Sequence, residues 1–259
     1  MIDSHCHLEM LKIPPENALK NFKLAGGKAL LSICTDGPSI EFLKHGFSHE
    51  EDINVYISSG IHPHEAKHWN QDLKQKIHLL SQTPQCIAIG EVGFDFHYNN
   101  SSPQKQKTCF EEQIQMALDS QLPLIIHTRD AEKEILEVLD HFHCEKVLIH
   151  CFTGTYEFAK KCWSRNYLTS FSGIVSFKNA LEIHKVAQEC PLNLMLIETD
   201  SPYLTPVPFR GKPNEPAYVR YVAEAIANLK NLSSEQIITS TSENFYHFFT
   251  KAKKKGDGC

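Results

Sequence analysis

Five short stretches of this chain end in groups that bind metal ions or move protons. His5 and His7 lie two apart in Met1-Ile2-Asp3-Ser4-His5-Cys6-His7, and in an extended strand that spacing turns both imidazoles to one face. Glu91 ends the run from Cys86, His127 the run from Leu124, His150 the run from Val147, and Asp200 the run from Leu194. Each run is apolar almost to its last residue. Any one of these residues alone reads equally well as a hydrogen-bonded rim side chain, or as a strand coming to the surface. Together, four imidazoles and two carboxylates make the nitrogen and oxygen donor set of a pair of divalent cations, with one carboxylate bridging. Such a pair lowers the pKa of water and polarises the oxygen of an electrophile, so the expected chemistry is hydrolysis. Asp200 is the candidate to take the proton from the attacking water; its alternative is a purely structural ligand.

The elements that must position these groups follow from apolar patterning. After the opening strand, a helical pattern runs from Pro14-Pro15 to Leu24 and stops at Gly26-Gly27, as glycine-terminated helices do. Further strands are expected at Lys28–Thr35, Val55–Ser59, Cys86–Glu91, Pro123–His127, Lys146–His150, Leu168–Ser172 and Asn193–Thr199. Helices are expected between them, near Pro38–Phe47, Trp69–Ser81, Pro103–Ser120, Ala131–Phe142, Tyr156–Asn166 and Asn179–Glu189, with two more at Ala217–Leu229 and Ser234–Phe249. Nearly continuous apolar strands alternating with helices are the mark of a parallel sheet covered on both faces. Eight of them predict a (β/α)8 TIM barrel as a single α/β domain over residues 1–250, followed by a basic, solvated tail at 251–259. In that fold the C-terminal strand ends share one mouth, so groups distant in sequence meet there. Residues 201–215, with Pro202, Pro206, Pro208, Gly211 and Pro213, predict a long irregular loop at that mouth.

Composition narrows the function classes. A net charge of -5 over 259 residues argues against a broad basic surface that coats duplex nucleic acid, while leaving room for a local phosphate pocket. Nine cysteines without a Cys-x-x-Cys pair suit reduced, buried thiols. With no basic segment leading into an apolar run at the start and no run of 18 apolar residues, the expectation is a cytoplasmic protein that meets no membrane and has no obligate protein partner.

Taken in order, the motifs resemble the TatD-type metal-dependent deoxyribonucleases of the amidohydrolase-like superfamily. The matching stretches are Asp3-Ser-His-Cys-His7, Gly60-Ile-His-Pro-His64, Gly90-Glu-Val-Gly-Phe-Asp95, Ile126-His-Thr-Arg-Asp130, Ile149-His-Cys-Phe-Thr-Gly154, Glu198-Thr-Asp-Ser-Pro-Tyr203, Arg210-Gly-Lys-Pro-Asn-Glu-Pro216 and Asn244. The resemblance implies one metal among His5, His7, Glu91 and Asp200 and a second among Glu91, His127 and His150, so that Glu91 bridges and shares the catalytic role with Asp200. It implies a phosphodiesterase acting on DNA, often a 3′-to-5′ exonuclease on single-stranded ends, with magnesium as the usual cofactor. Preference for DNA over RNA stays open. The residues themselves disagree on the metal, because imidazole-rich sites favour zinc, manganese or nickel over magnesium. His62 resembles a phosphate-facing residue of the family, or else is a turn histidine before Pro63. Arg129, Arg210 and Lys212 are candidate cations for a phosphate, although Arg129 could pair with Asp130 or Glu132 instead. Asp95 and Glu198 are expected to steady ligating histidines. Departures from the family's common wording, Phe94, Phe96 and Thr153, touch no expected ligand.

Two other readings compete. One is a binuclear hydrolase of the same architecture acting on an amide, lactone or phosphotriester; many such relatives bridge their metals through a carboxylated lysine where this chain has Glu91. The other is a non-catalytic barrel that binds nucleic acid or a partner and keeps metals for stability.

Overall fold

Eight apolar runs become eight strands: β1 (Ile2–Cys6), β2 (Ala29–Ser32), β3 (Asn54–Ser59), β4 (Cys86–Asp95), β5 (Leu124–Arg129), β6 (Val147–Ile149), β7 (Leu168–Phe171) and β8 (Met195–Ile197). The structure, a computed structural model, describes residues 1–45, 52–98 and 100–252. Every adjacent pair is parallel and the strands lie in chain order. The sheet curls back on itself at a seam where Cys6 bridges Ser201 in parallel fashion. There the His7 amide donates to the Ser201 carbonyl at 2.8 Å and the Asp200 amide to the His5 carbonyl at 2.9 Å. The result is a nearly closed (β/α)8 barrel, as the alternation predicted.

The helices are α1 (Pro15–Leu24), α2 (Gly37–Lys44), α3 (Gln71–Ser81), α4 (Pro103–Ser120), α5 (Glu132–His141), α6 (Tyr156–Trp163), α7 (Leu181–Glu189), α8 (Val219–Lys230) and α9 (Ser234–Phe248). Their starts are written locally: Asp36 and Ser39 form a capping box on α2, Ser233 and Gln236 another on α9, and Ser102 with Pro103 opens α4, each satisfying amides that the first helical turn leaves free. The expected continuation of the second helix to Phe47 falls partly outside the described residues. Residues 253–259 of the expected basic tail also lie outside them, whereas Lys251 still donates to the Ser81 and Thr83 carbonyls and Ala252 is buried.

Strand periodicity decides what faces the barrel axis. Leu31, Ile87, Ile125, Leu148 and Leu196 share an interior cluster, and Phe245, Phe248 and Phe249 from α9 and its end join it. Leu30, Ile89, Ile126, Ile149 and Ile197 belong to the outer core beneath the helices. Counting two onward from Ile125, Leu148 and Leu196 reaches His127, His150 and Glu198, so the groups above the apolar plug point inward. A cavity of about 810 Å³ opens at the opposite end, between the strand starts at Lys146 and Leu168 and α9 residues such as Glu243 and His247. That is the stabilising face of a barrel rather than its chemical one.

Several expected boundaries need correction: β2 ends at Ser32 rather than Thr35, α6 ends at Trp163 rather than Asn166, and two strands run past their expected ends. The fourth strand does not stop at Glu91 but runs four residues further, through the fully buried Val92-Gly-Phe-Asp95, because the register shifts between Ile89 and Val92 and pairing with β5 then resumes. The fifth strand likewise runs on to Arg129, paired with Asp95. Gly93 is what allows this: at φ +140° a Cβ there would stand 2.1 Å from the His127 carbonyl oxygen. We expect Gly93→Ala to cost about 3 kcal/mol through strain and overpacking. Thermal unfolding tests this, and an unchanged melting temperature would mean that β4 and β5 can separate freely.

Candidate active site

The mouth of the barrel gathers the six groups singled out from the sequence, and Glu91 stands among them. Its Oε1 lies 2.7 Å from His127 Nδ1, 2.7 Å from His150 Nε2 and 3.4 Å from His62 Nε2, while its Oε2 lies 3.4 Å from His5 Nε2. Asp200 Oδ1 is 3.4 Å from His7 Nε2 and 3.7 Å from His5 Nε2. The His5 and His150 rings stack at 3.9 Å. Among the described residues, three groups bring their ligand atoms within 4.8 Å of one another: His5, His7 and Asp200; His62, Glu91 and His127; and His5, His150 and Glu198. The structure therefore sets His62 among the donors rather than at a distance from them.

Burial alone would raise the Glu91 carboxyl, but the adjoining His150 and His62 and hydrogen bonds from His127 and His150 hold it well below the usual carboxylate range. Asp200 behaves alike: burial raises it, and His7, with charge on His5 and His150, brings it lower. His150 answers in the opposite sense, its tendency to lose a proton on burial overcome by Glu91 and Glu198. His62 goes the other way, down to about 4, through burial and the neighbouring charge of His127. A divalent cation fits this donor set. Both ring nitrogens of His5 and His7 Nδ1 are buried without a hydrogen-bond partner, a costly state for polar atoms unless a ligand completes them.

Around these groups stands a frame that the sequence only hinted at. Asp95 Oδ2 faces His64 Nε2 at 2.9 Å and His127 Nε2 at 3.2 Å, so His127 is gripped between two carboxylates. Gln106 is fully buried on α4 and fixes Asp95 by its backbone: its Oε1 accepts from the Asp95 amide, and its Nε2 donates to the Asp95 carbonyl, both at 2.9 Å. Glu198 Oε1 lies 3.4 Å from His150 Nδ1, and its Oε2 accepts from Ser170. Asp3 accepts from the Thr199 amide at 2.9 Å and its hydroxyl at 2.6 Å, although burial pushes its carboxyl up to about 8. Asn214 Nδ2 donates to the carbonyls of Thr199 and Tyr203 and ties down the long loop. Asn244, matched by motif alone, donates to the Leu192 and Met195 carbonyls and so braces β8 from α9.

The four other sequence-derived candidates divide. His62 is in the cluster, as above. Arg129 is exposed and does not pair with Asp130 or Glu132: its guanidinium lies 4.8 Å from the Tyr98 ring centroid, while Asp130 faces His97 at 3.1 Å and Glu132 accepts from Thr155. A planar cation beside an aromatic face gains from the ring quadrupole without giving up its hydration. Arg210 lies over Phe177 at 4.0 Å and Lys212 near Phe209 at 5.5 Å, both on the exposed loop. Asp95, expected to steady a ligating histidine, faces His127, whereas His64 and Gln106 carry structural weight that the motifs alone did not assign them. Nothing in the residue type or spacing of Gln106 sets it apart from the other glutamines of that helix.

A family described as TatD related DNase matches residues 2–250. An uncharacterized metal-dependent hydrolase of Bacillus subtilis, YabD, is 39% identical over 253 residues, covering 96% of this chain and 98% of its own. A protein of Citrobacter rodentium described as the 3′-5′ ssDNA/RNA exonuclease TatD is 34% identical over 203 residues, 76% of this chain and 77% of its own. Among solved structures, the TatD homologue YJJV of Escherichia coli superposes with a TM-score of 0.86 at 23% identity, over 96% of this chain and 98% of that one, a likeness of fold. Among the described residues, no helix is long and apolar enough to cross a membrane.

Replacing Glu91 with Ala removes the one carboxylate that faces both halves of the cluster. The variant should hold fewer divalent ions per chain than the parent, with affinity lowered about a hundred-fold. Titration calorimetry and elemental analysis after dialysis measure this; undiminished stoichiometry would remove Glu91 from the ligand set.

Proposed function

Because the chain belongs to the TatD-related DNase family of metal-dependent hydrolases, we propose that its mouth hydrolyses phosphodiester bonds of DNA, releasing nucleotides from single-stranded 3′ ends. The observation that carries this reading is the two-sided engagement of Glu91, whose Oε1 meets His127, His150 and His62 while its Oε2 meets His5. That is the disposition a carboxylate shared between two cations needs. The description of the Citrobacter rodentium relative supports single-stranded nucleic acid as the substrate.

His5, His7, Glu91 and Asp200 would hold one divalent cation, and Glu91, His127 and His150 the other. When bound, the cations supply Lewis-acid neutralisation of the phosphate and a lowered pKa for water, and the imidazole-rich donors favour zinc or manganese over magnesium. Asp200 accepts the proton of the attacking water. Its carboxyl is held below the usual carboxylate range by His7, His5 and His150, and the bond from the Tyr203 amide to the Asp200 carbonyl at 2.9 Å holds its backbone still. His62, Arg129, Arg210 and Lys212 serve the phosphates, His62 at the reacting centre and the three exposed cations along the strand that leads to it. Asp95 and Glu198 orient His127 and His150 so that their nitrogens stay aimed inward.

Asp200→Asn keeps the shape of the side chain and removes the proton acceptor, so turnover should fall by about 10² to 10⁴ with an unchanged circular dichroism spectrum. Undiminished hydrolysis would exclude the acceptor role. The reaction itself is tested by loading the chain separately with magnesium, manganese and zinc and offering end-labelled single-stranded DNA, duplex DNA, RNA and simple carboxylic esters. We expect mononucleotides from the single strand, lost on chelation. Cleavage of carboxylic esters alone would overturn the reading.

A further inference from the structure

Of the eight tyrosines of the chain, all lie among the described residues and two alone are exposed, Tyr98 and Tyr203, each at 54%. Both touch the histidine cluster edge-on: Tyr98 packs on His64 with ring centroids 5.6 Å apart and Tyr203 on His7 at 6.2 Å. They are reached from opposite directions. Tyr98 follows β4 and Tyr203 follows β8, which stand half a turn apart in an eight-stranded barrel with strands in chain order. Ring contacts run without a break from one to the other, from Tyr203 through His7, His5, His150, His127 and His64 to Tyr98.

Neither ring is loosely placed. The Tyr98 amide donates to Asp95 Oδ1 at 3.0 Å, the carboxylate whose other oxygen faces His64 and His127, and Arg129 lies against its ring. The Tyr203 amide donates to the Asp200 carbonyl, its own carbonyl accepts from Asn214, and its hydroxyl rests 3.6 Å from the Met10 sulfur. Leaving two rings half in water forgoes the burial that stabilises aromatic side chains elsewhere, while their backbones are hung on the acids of the reacting centre. Exposed aromatic rings flanking a phosphate-handling centre are the usual means of holding an unpaired base, since every base has a π-face and stacking tolerates any sequence.

We propose that Tyr98 and Tyr203 are the two base-stacking posts of the site, one on each side of the scissile phosphate, and that together they select unpaired strands over duplex. The inference rests on the phosphodiesterase reading above and deepens it. A base inside a duplex is stacked on both faces and offers neither ring a partner, whereas a frayed or single strand presents free faces to both. Arg129 on Tyr98 adds a cation beside the same base.

The test compares an oligonucleotide of normal bases with one of the same length carrying abasic sugars at its last nucleotides, using the full chain and its Tyr98→Ala and Tyr203→Ala variants. Each variant should lose about ten-fold in kcat/KM on the normal strand, chiefly through KM, and far less on the abasic one, with Tyr→Phe retaining the parent values. Binding is read independently of turnover by fluorescence anisotropy of the same labelled strands, and should follow the same pattern. Equal losses on both strands, or none, would overturn the stacking role. If the parent protein prefers the normal strand in the binding measurement and the variants lose that preference, while nothing is cleaved, the stacking posts stand and the phosphodiesterase reading falls. If the parent cleaves both strands equally well, the reverse holds.

Discussion

A carboxylate that is 3% exposed, facing four imidazoles, is the constraint on which the mouth of this barrel depends. Taking a charged group out of water costs several kcal/mol, which only close and well-aimed opposite charge or a bound cation recovers. Glu91 meets that condition because four separate elements deliver an imidazole to it: β1 brings His5, the turn after β3 His62, β5 His127, and the end of β6 His150. No local stretch of sequence could assemble such a set. A barrel can, since its strand ends converge on one axis, and its apolar interior below the mouth fixes how deep each group sits.

The same logic extends outward. His127 is clasped between Glu91 and Asp95, two acids of a single strand, and the intervening Gly93 leaves its backbone room to approach. Side-chain amides then hold the holders: buried Gln106 fixes Asp95, buried Asn214 fixes the loop after β8, and half-buried Asn244 reaches across from the last helix to β8. These side chains act on the backbone rather than on any ligand. Their hydrogen bonds are two-sided, so shortening any one of them strands a buried partner.

What was legible in the sequence, and what was not, divides along physical lines. The eight apolar runs and their polar ends were readable because strand period and burial are written in residue type, and His127 and His150 stand two beyond buried Ile125 and Leu148. The true end of β4 was hidden because Glu91 and Gly93 look like punctuation, whereas the register shift keeps the strand paired to Asp95. The setting of Arg129 was hidden too. Its sequence neighbours Asp130 and Glu132 find partners in His97 and Thr155, and the guanidinium turns to Tyr98, a residue on another loop. The exposure of Tyr98 and Tyr203 has no signature in one dimension, since a loop tyrosine reads alike whether it is covered or bare.

The seam between β1 and β8 has a consequence for how the protein comes into being. Asp3 and its partner Thr199 are 196 residues apart in the chain, and the backbone bonds that join His5 and His7 to the neighbourhood of Asp200 span almost the same length. Until the eighth strand is made, β1 has a neighbouring strand on one side alone, and His7 lacks the Asp200 carboxylate that faces it in the finished barrel. The six groups at the mouth therefore come together only when the last strand closes the ring, and a partly made chain holds an incomplete set of them.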